Sequence, residues 1–291
     1  MVPSKGGHMI TVHRWDRDDV LYQTEAPTLV GSDLPNAFLL YANLADFDLT
    51  GANLRGADLC QADLRRTRLT GATLIGADLT LCDMSGADLS RAPLSDARLQ
   101  AVSVRTRGPS GTIFRGADLT RVTLKHSNLS SCDFADATLF RADLTRCNLR
   151  GADLRGAELN EADLSFANLT GARLDFASLV GAKLTGAILQ DANLTSCDLT
   201  LACLNGTACT GADMTDALFS KTVLARIPDL HLARGLDMLR HGDASSIDVG
   251  TLRRSLQYLP KELLTQCGLD ERELSALQQA LVLATEGRGS T

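Results

Sequence analysis

The sequence predicts an all-β solenoid, a chain wound repeatedly through short strands and turns around one narrow core. Three observations predict it. A large apolar residue returns every fifth position from Leu34 to Leu224, and 36 of these 39 slots hold Leu, Met or Phe; Val104, Pro109 and Cys209 are the exceptions. Two places before the slot the side chain is small (Ala, Ser, Thr, Cys or Val) in 37 of 39 cases, with Phe47 and Arg107 breaking the rule. Two places after it glycine recurs, as at Gly51, Gly56, Gly71 and Gly76, where a turn profits from a residue without Cβ. A five-residue beat matches neither the helical period nor plain strand alternation. The small residue and the leucine lie two apart, as on one face of a short strand, and point inward. The residue between them and the two that follow point outward. A period this strict, held from Leu34 to Leu224, dictates the architecture but not the activity.

The unit is plain in Ala52-Asn53-Leu54-Arg55-Gly56 and Ala152-Asp153-Leu154-Arg155-Gly156. These residues resemble the pentapeptide-repeat family, whose pattern is A(D/N)LXX, over roughly two-thirds of the chain. The resemblance implies a right-handed parallel quadrilateral β-helix with four pentapeptides per coil. That gives about nine or ten coils and, at the spacing of paired strands, a rod about 45 Å long. Leu fills each face and Ala the space beside it. Cys82, Cys132, Cys147 and Cys197 occupy Ala slots and read as small buried hydrophobes.

An open solenoid end exposes unpaired edges, so caps are expected. Residues 1–9 read as a tag or disordered segment. Residues 10–31 read as an N-terminal β-hairpin cap, with Trp15 as its anchor rather than a ligand contact. The β-helix is assigned to 32–226. After Ile227-Pro228 the beat stops, and 227–291 read as an α-helical C-terminal tail. Helices are predicted over 229–240, over 247–259 with Ser246 as N-cap, over 260–266 closed by Gly268, and from Asp270, paired with Glu273 in a capping box, to about Thr285. The tail is read either as a cap or as a homodimer surface. Residues 244–252 are also similar to a segment that follows pentapeptide repeats in some bacterial proteins.

One stretch, 105–113, interrupts the pattern. Wound straight through, Arg107 would point its guanidinium into the apolar interior, and Pro109 would lack an N–H for strand pairing. An extruded loop is therefore predicted, with repeats resuming at Phe114. The walls before and after such a loop cannot be matched by counting. Projecting loops also occur in the quinolone-resistance members of the family, which bind DNA gyrase; the alternative is a tolerated surface insertion.

The chain has 29 basic and 35 acidic residues and a formal net charge of −6. No apolar run is long enough to span a membrane, no secretory leader is evident, and eight cysteines without pairing motifs fit a reducing cytoplasm. The outward residue before each leucine is often acidic. Stacked one coil apart, Asp58 should lie on Asp78, Asp63 on Asp83 and Asp143 on Asp163. Such rows on a rod resemble duplex DNA in sign and shape, although Asp and Asn also serve as plain turn residues. The middle of the rod is basic. Arg105, Arg107, Arg121, Arg141 and Arg146 fall there, and Arg121 and Arg141 share one slot on successive coils. Each is read as pairing with a neighbouring Asp or as part of a partner patch beside the loop and Pro109. Phe140, Phe166 and Phe176 fall in outward slots, marking either a contact surface or a bed for the tail.

The five histidines form no ligand-spaced pair with cysteine, and no phosphate-binding glycine loop stands apart from the repeat. No catalytic residue, cofactor or metal site is expected. The favoured function is non-enzymatic protein binding, most concretely a DNA-mimicking binder of DNA gyrase or another topoisomerase that confers protection from inhibitors. Neither nucleic acid nor membrane is expected as a direct partner. The alternative is a scaffold or regulator in bacterial signalling or defence, acting through the solenoid faces and the tail.

Overall fold

The structure, a computed structural model, describes residues 9–103 and 111–286. Its body is a parallel β-helix. Asn53 stands over Asp33 and Thr73 over Asn53 (53 − 33 = 20, 73 − 53 = 20), so one coil takes twenty residues, or four pentapeptides. Strand pairing between coils is local and regular: Leu54 N–H donates to Thr73 O at 2.8 Å, and Asn53 N–H to Ser32 O at 2.8 Å. Each corner is a four-residue turn. At one of them Ala52 N–H closes on Leu49 O at 3.0 Å, and Gly51 takes the left-handed conformation at φ 66°. Residues other than glycine occupy many of these corners, including Arg121 and Phe166, and the closed hydrogen-bond ladder holds them there.

Leu points inward because the turn leaves only two side chains per pentapeptide on the inside. Every slot from Leu39 to Leu99 and from Phe114 to Leu224 is at most 2% exposed. Each buried leucine contributes about 1.5–3 kcal/mol. Where Phe replaces Leu on adjacent coils, Phe114 and Phe134 stack with centroids 4.7 Å apart. Polar atoms in the small slots are bonded to the coil behind: Thr67 Oγ1 donates to Leu44 O at 2.8 Å, Cys147 Sγ to Leu124 O at 2.9 Å and Cys197 Sγ to Leu174 O at 2.7 Å. Burial pushes the Cys132, Cys147 and Cys197 thiols up to about 12, which makes them packing groups and not nucleophiles.

The four walls can be named by the column of residues at their middle. The first column starts at Asp33, the second at Phe38, the third at Asn43 and the fourth at Asp48. Across the interruption Asp88 pairs with Ile113, Pro93 with Asp118 and Arg98 with Thr123 (113 − 88 = 25, and likewise for the others). The interruption therefore absorbs one whole pentapeptide and leaves the five-residue phase intact. It departs after Ser103 on the third wall and is back on the fourth wall at Ile113. The coil is rejoined before Phe114: Thr112 is buried, with its Oγ1 donating to Met84 O at 2.6 Å. Thr112 thus takes the inward slot that unbroken winding would give to Arg107. Arg105, Arg107 and Pro109 lie outside the described residues.

At the N-terminus β1 (Ile10–His13) and β2 (Val20–Thr24) pair antiparallel, with a bulge between Val12 and His13. The hairpin caps the third wall, where Asn43 N–H donates to His13 O at 2.7 Å. Trp15 sits edge-on to Tyr41 at 5.8 Å and donates from Nε1 to Gln61 O at 2.7 Å.

At the C-terminus the helix expected over 229–240 is not formed. The chain makes two single 3-10 turns, Leu230–Leu232 and Leu236–Met238, and winds one more, irregular coil. In it β3 (Leu218–Phe219) pairs parallel with β5 (Arg240–His241), and β4 (Val223–Leu224) with β6 (Ser246–Ile247). Gly235, at φ 72°, is the left-handed corner of this coil, pressed so closely on Thr215 that a Cβ there would meet its backbone N at 2.6 Å. A left-handed residue in the middle ends any helix. Three helices follow: α1 (Val249–Ser255), α2 (Lys261–Gln266) and α3 (Glu271–Glu286). Asp248, not Ser246, caps α1, accepting from Thr251 N–H at 2.9 Å. The capping box of α3 forms, with Asp270 Oδ1 accepting from Glu273 N–H at 2.8 Å and Glu273 returning the bond to Asp270 N–H at 2.9 Å. Leu252, Leu256, Leu263 and Leu264 are buried, so α1 and α2 plug the end of the core.

Candidate interaction surface

The recurrent Asp or Asn does its first work in the turn. Asp58 Oδ1 accepts from Cys60 N–H at 3.1 Å, Asp78 Oδ1 from Thr80 N–H at 3.0 Å and Asn148 Oδ1 from Arg150 N–H at 3.2 Å. This is the Asx turn, and it consumes one of the two terminal atoms of the side chain. What the wall offers a partner is set by the second atom, a carboxylate oxygen on Asp and an amide N–H on Asn.

The expected carboxylate stacks are present as neighbours: Asp58 with Asp78, Asp63 with Asp83, and Asp143 with Asp163. The first and third pairs share the second wall, separated by Arg98 and Thr123. Most of these outward oxygens meet cations. Asp78 Oδ2 accepts from Arg98 at 2.7 Å, Asp143 Oδ2 lies 2.8 Å from Lys125 Nζ, Asp163 lies 3.8 Å from Lys183, and Asp63 binds Arg65 through both oxygens. Burial raises the Asp78 and Asp143 carboxyls, but the Thr80 and Arg98 bonds on one and the Lys125 and Thr145 bonds on the other outweigh it and hold both below the usual range. Exposed ion pairs of this kind contribute about 0–1 kcal/mol; their larger effect is to break the negative rows into patches.

The stacked arginines avoid one another by reaching opposite ways. Arg121 turns back to Asp96 at 2.7 Å, and Arg141 turns forward to Glu161 at 2.7 Å while its guanidinium covers the half-buried Phe140 ring at 4.9 Å. Arg146 differs. Among the described residues no carboxylate lies within ion-pair distance of it, and its guanidinium stands 5.6 Å from the Phe166 ring centroid. Phe166 and Phe176 are 56% and 70% exposed, so the tail does not cover them. Large apolar groups absent from the sequence-based reading, Phe38, Leu81 and Leu201, are exposed as well. Their twenty-residue columns were legible before the loop, but which columns continue beyond it was not. Among the described residues no group of three His, Cys, Asp or Glu side chains could hold a metal, and no helix is long and apolar enough to cross a membrane.

The square coil, the left-handed corners and the leucine interior define a pentapeptide-repeat β-helix. The family pattern for pentapeptide repeats matches 29–66, 62–100, 110–139, 137–175, 162–200 and 177–216. The chain belongs to the pentapeptide-repeat family, whose members are right-handed, non-catalytic scaffolds. Among solved structures it is similar to HetL, a pentapeptide repeat protein involved in heterocyst differentiation regulation from the cyanobacterium Nostoc sp. strain PCC 7120. That match has 32% identity and a TM-score of 0.59, and covers 72% of this chain and 90% of HetL. A pentapeptide repeat protein from the Arabidopsis thaliana thylakoid lumen matches at 32% identity over 45% of this chain and 89% of its own, with a TM-score of 0.35. QnrB1, a plasmid-mediated fluoroquinolone resistance protein, matches at 22% identity over 73% of this chain and 97% of its own, also with a TM-score of 0.35. Comparison with curated protein sequences gives no significant match.

Proposed function

We propose that this protein is a rigid interaction module that binds a protein partner along the walls of its rod. The observation that carries the reading is the division of labour within each pentapeptide: two residues build the core, and three are left outside on a wall fixed by strand pairing. Such walls present side chains with little ordering cost on binding. We propose the cytoplasm as its location, a compartment in which its eight free cysteines stay reduced.

In its most specific form the partner is DNA gyrase or another topoisomerase, with the carboxylates of Asp58, Asp78, Asp63, Asp83, Asp143 and Asp163 standing where DNA phosphates would lie. The stacking of these pairs supports this form, and the cations interleaved with them narrow it to short negative patches. A supercoiling assay with purified gyrase, with and without a quinolone, tests it. Protection or inhibition at micromolar protein is expected, and no binding with no effect removes this form of the proposal.

A second reading is a regulator that acts through the tail, consistent with the role stated for HetL. Because α1 and α2 close the core, the tail element available for this, or for self-association, is α3. Removing residues 269–291 separates the readings. A partner held by the walls is retained by the shortened protein, whereas a partner or dimer held by α3 is lost in pull-down and light scattering.

A further inference from the structure

The third wall changes chemistry at the interruption. Before it the middle column reads Asn43, Asp63, Asp83, Ser103; after it the column reads Asn128, Asn148, Asn168, and then Ile188 and Ala208. The two halves are one wall, since Asn128 N–H donates to Val102 O at 3.2 Å in the same pattern as Asn148 N–H to Ser127 O at 3.0 Å. Beyond the interruption the amide oxygens face their own turns: Asn168 accepts from Thr170 N–H at 3.0 Å, and Asn128 accepts from Ser130 Oγ at 3.0 Å. An Asx turn needs an acceptor, and this fixes which amide atom is the oxygen. The Asn148 Nδ2 therefore runs along the wall, donating to Asn128 Oδ1 at 2.9 Å.

Two exposed arginines border this amide column, Arg146 at the corner shared with the second wall and Arg150 at the opposite edge. Neither has a carboxylate within ion-pair distance among the described residues, whereas Arg115, Arg121, Arg141 and Arg155 each have one at 2.6–2.8 Å. One coil further along, Phe166 lies flat on the same corner as Arg146. Its Cδ1 sits where a Cβ on Gly186 would come within 2.7 Å, so the glycine makes room for the ring, which stays more than half exposed beside the Arg146 guanidinium. Cations, amide side chains and an exposed aromatic ring thus share a surface whose residues, 126–130, 146–150 and 166–170, include no carboxylate.

We propose that this part of the third wall is the docking surface for a short acidic segment of a partner protein. The segment's carboxylates would take Arg146 and Arg150, and an apolar side chain beside them would pack on Phe166. Charge complementarity selects this occupant. The carboxylates of the flanking walls, Asp143, Asp163, Asp133 and Asp153, are already paired with Lys125, Lys183, Arg115 and Arg155, so Arg146 and Arg150 are the cations left for an acidic group, and exposed Phe166 beside Arg146 favours a peptide that also carries an apolar side chain. The proposal rests on the interaction-module reading and names the chemistry of its partner.

The test is fluorescence anisotropy with the full protein and a short fluorescein-labelled peptide of alternating Glu and Leu, compared with its Gln and Leu counterpart. The Glu peptide is expected to bind at least about tenfold more tightly, and Arg146→Glu or Arg150→Glu to weaken it by about tenfold or more. Phe166→Ala should weaken both peptides by about threefold or more. Arg91→Glu, the same charge change at an exposed corner of another wall, should alter binding less than about twofold. Four results would overturn the proposal: equal binding of the two peptides, no saturation by millimolar peptide, an Arg91→Glu effect as large as that of Arg146→Glu, or tighter binding of a short oligothymidylate through the same arginines. A cellular partner retained by the Arg146→Glu/Arg150→Glu protein would sink this wall and leave the module reading standing. A wild-type rod that retains no partner at all would sink the module reading itself.

Discussion

The regular rod and the coil that ends it are wound alike from different sequences. In the rod, stacked residues are twenty apart and the slots repeat without drift. In the last coil the interval stretches, with Arg234 over Asp213, Arg240 over Leu218 and Ser246 over Val223 (234 − 213 = 21, 240 − 218 = 22, 246 − 223 = 23). What survives is the inward leucine, at Leu230, Leu236 and Leu239, and the left-handed corner at Gly235. Winding therefore needs an apolar interior and a backbone able to turn, while the strict interval is needed only where another identical coil must stack on top. The last coil supports α1 and α2 instead, and is free of that demand.

The largest test of this comparison is in the core. Leu154→Ala, in the middle of the rod, is expected to cost about 2–5 kcal/mol, and its cavity touches coils on both sides. Leu236→Ala should cost less, because the last coil can loosen without opening the rod. Denaturant unfolding measures both, and equal losses would mean that the irregular coil is as tightly coupled as the regular ones. A smaller test lies at the point where the winding is rejoined. A Cβ on Gly111 would lie 2.1 Å from Ser131 O, whereas one on Gly51 meets nothing within 4 Å and suffers only from the positive φ. Gly111→Ala should therefore cost about 2 kcal/mol or more and Gly51→Ala about 1 kcal/mol; the reverse order of melting temperatures would contradict the packing at the rejoined coil. The smallest test concerns the cap of α1. Thr251, Gly250 and Arg226 bond Asp248 and hold its carboxyl at about 2 despite some burial. A depressed carboxyl stabilises the fold above its unfolded value and loses that contribution as pH falls through its folded one. Asp248→Ala should thus cost about 1 kcal/mol at neutral pH, with the difference from wild type shrinking as pH drops from about 4 toward 2. A difference that does not change with pH would show that the side chain acts through packing and not as a charged cap.

The coil was legible because core and corner depend on neighbours five residues away, and Leu, Ala and Gly each state their place in the unit. The α3 capping box was legible for the same reason, both of its residues lying within one turn. The helix expected over 229–240 does not form, because a run of leucines looks alike in a helix and in a loosened coil, and the corner role of Gly235 depends on Thr215 on the coil before. The carboxylate pairs were legible one coil at a time. Which cation meets which carboxylate, Arg98 on Asp78, Lys125 on Asp143 and Lys183 on Asp163, was not legible, since it depends on which way long side chains lean. Nor was the amide column assigned to the wall of Asp63 and Asp83, because that assignment passes through the interruption.

That interruption has a geometric consequence of its own. Each pentapeptide advances the chain by a quarter of its circuit, so setting one aside leaves every leucine facing the axis while swinging all that follows by one side of the square. Wound straight through, Asn128 would come to rest in line with Asp48, Arg68 and Asp88; as built, it lies in line with Asn43, Asp63 and Asp83. The departure after Ser103 works as an indexing stop. It decides which upstream surface each downstream surface continues, and a lineage that gained or lost one such unit would exchange its partners' footing while keeping the interior of each half as it is.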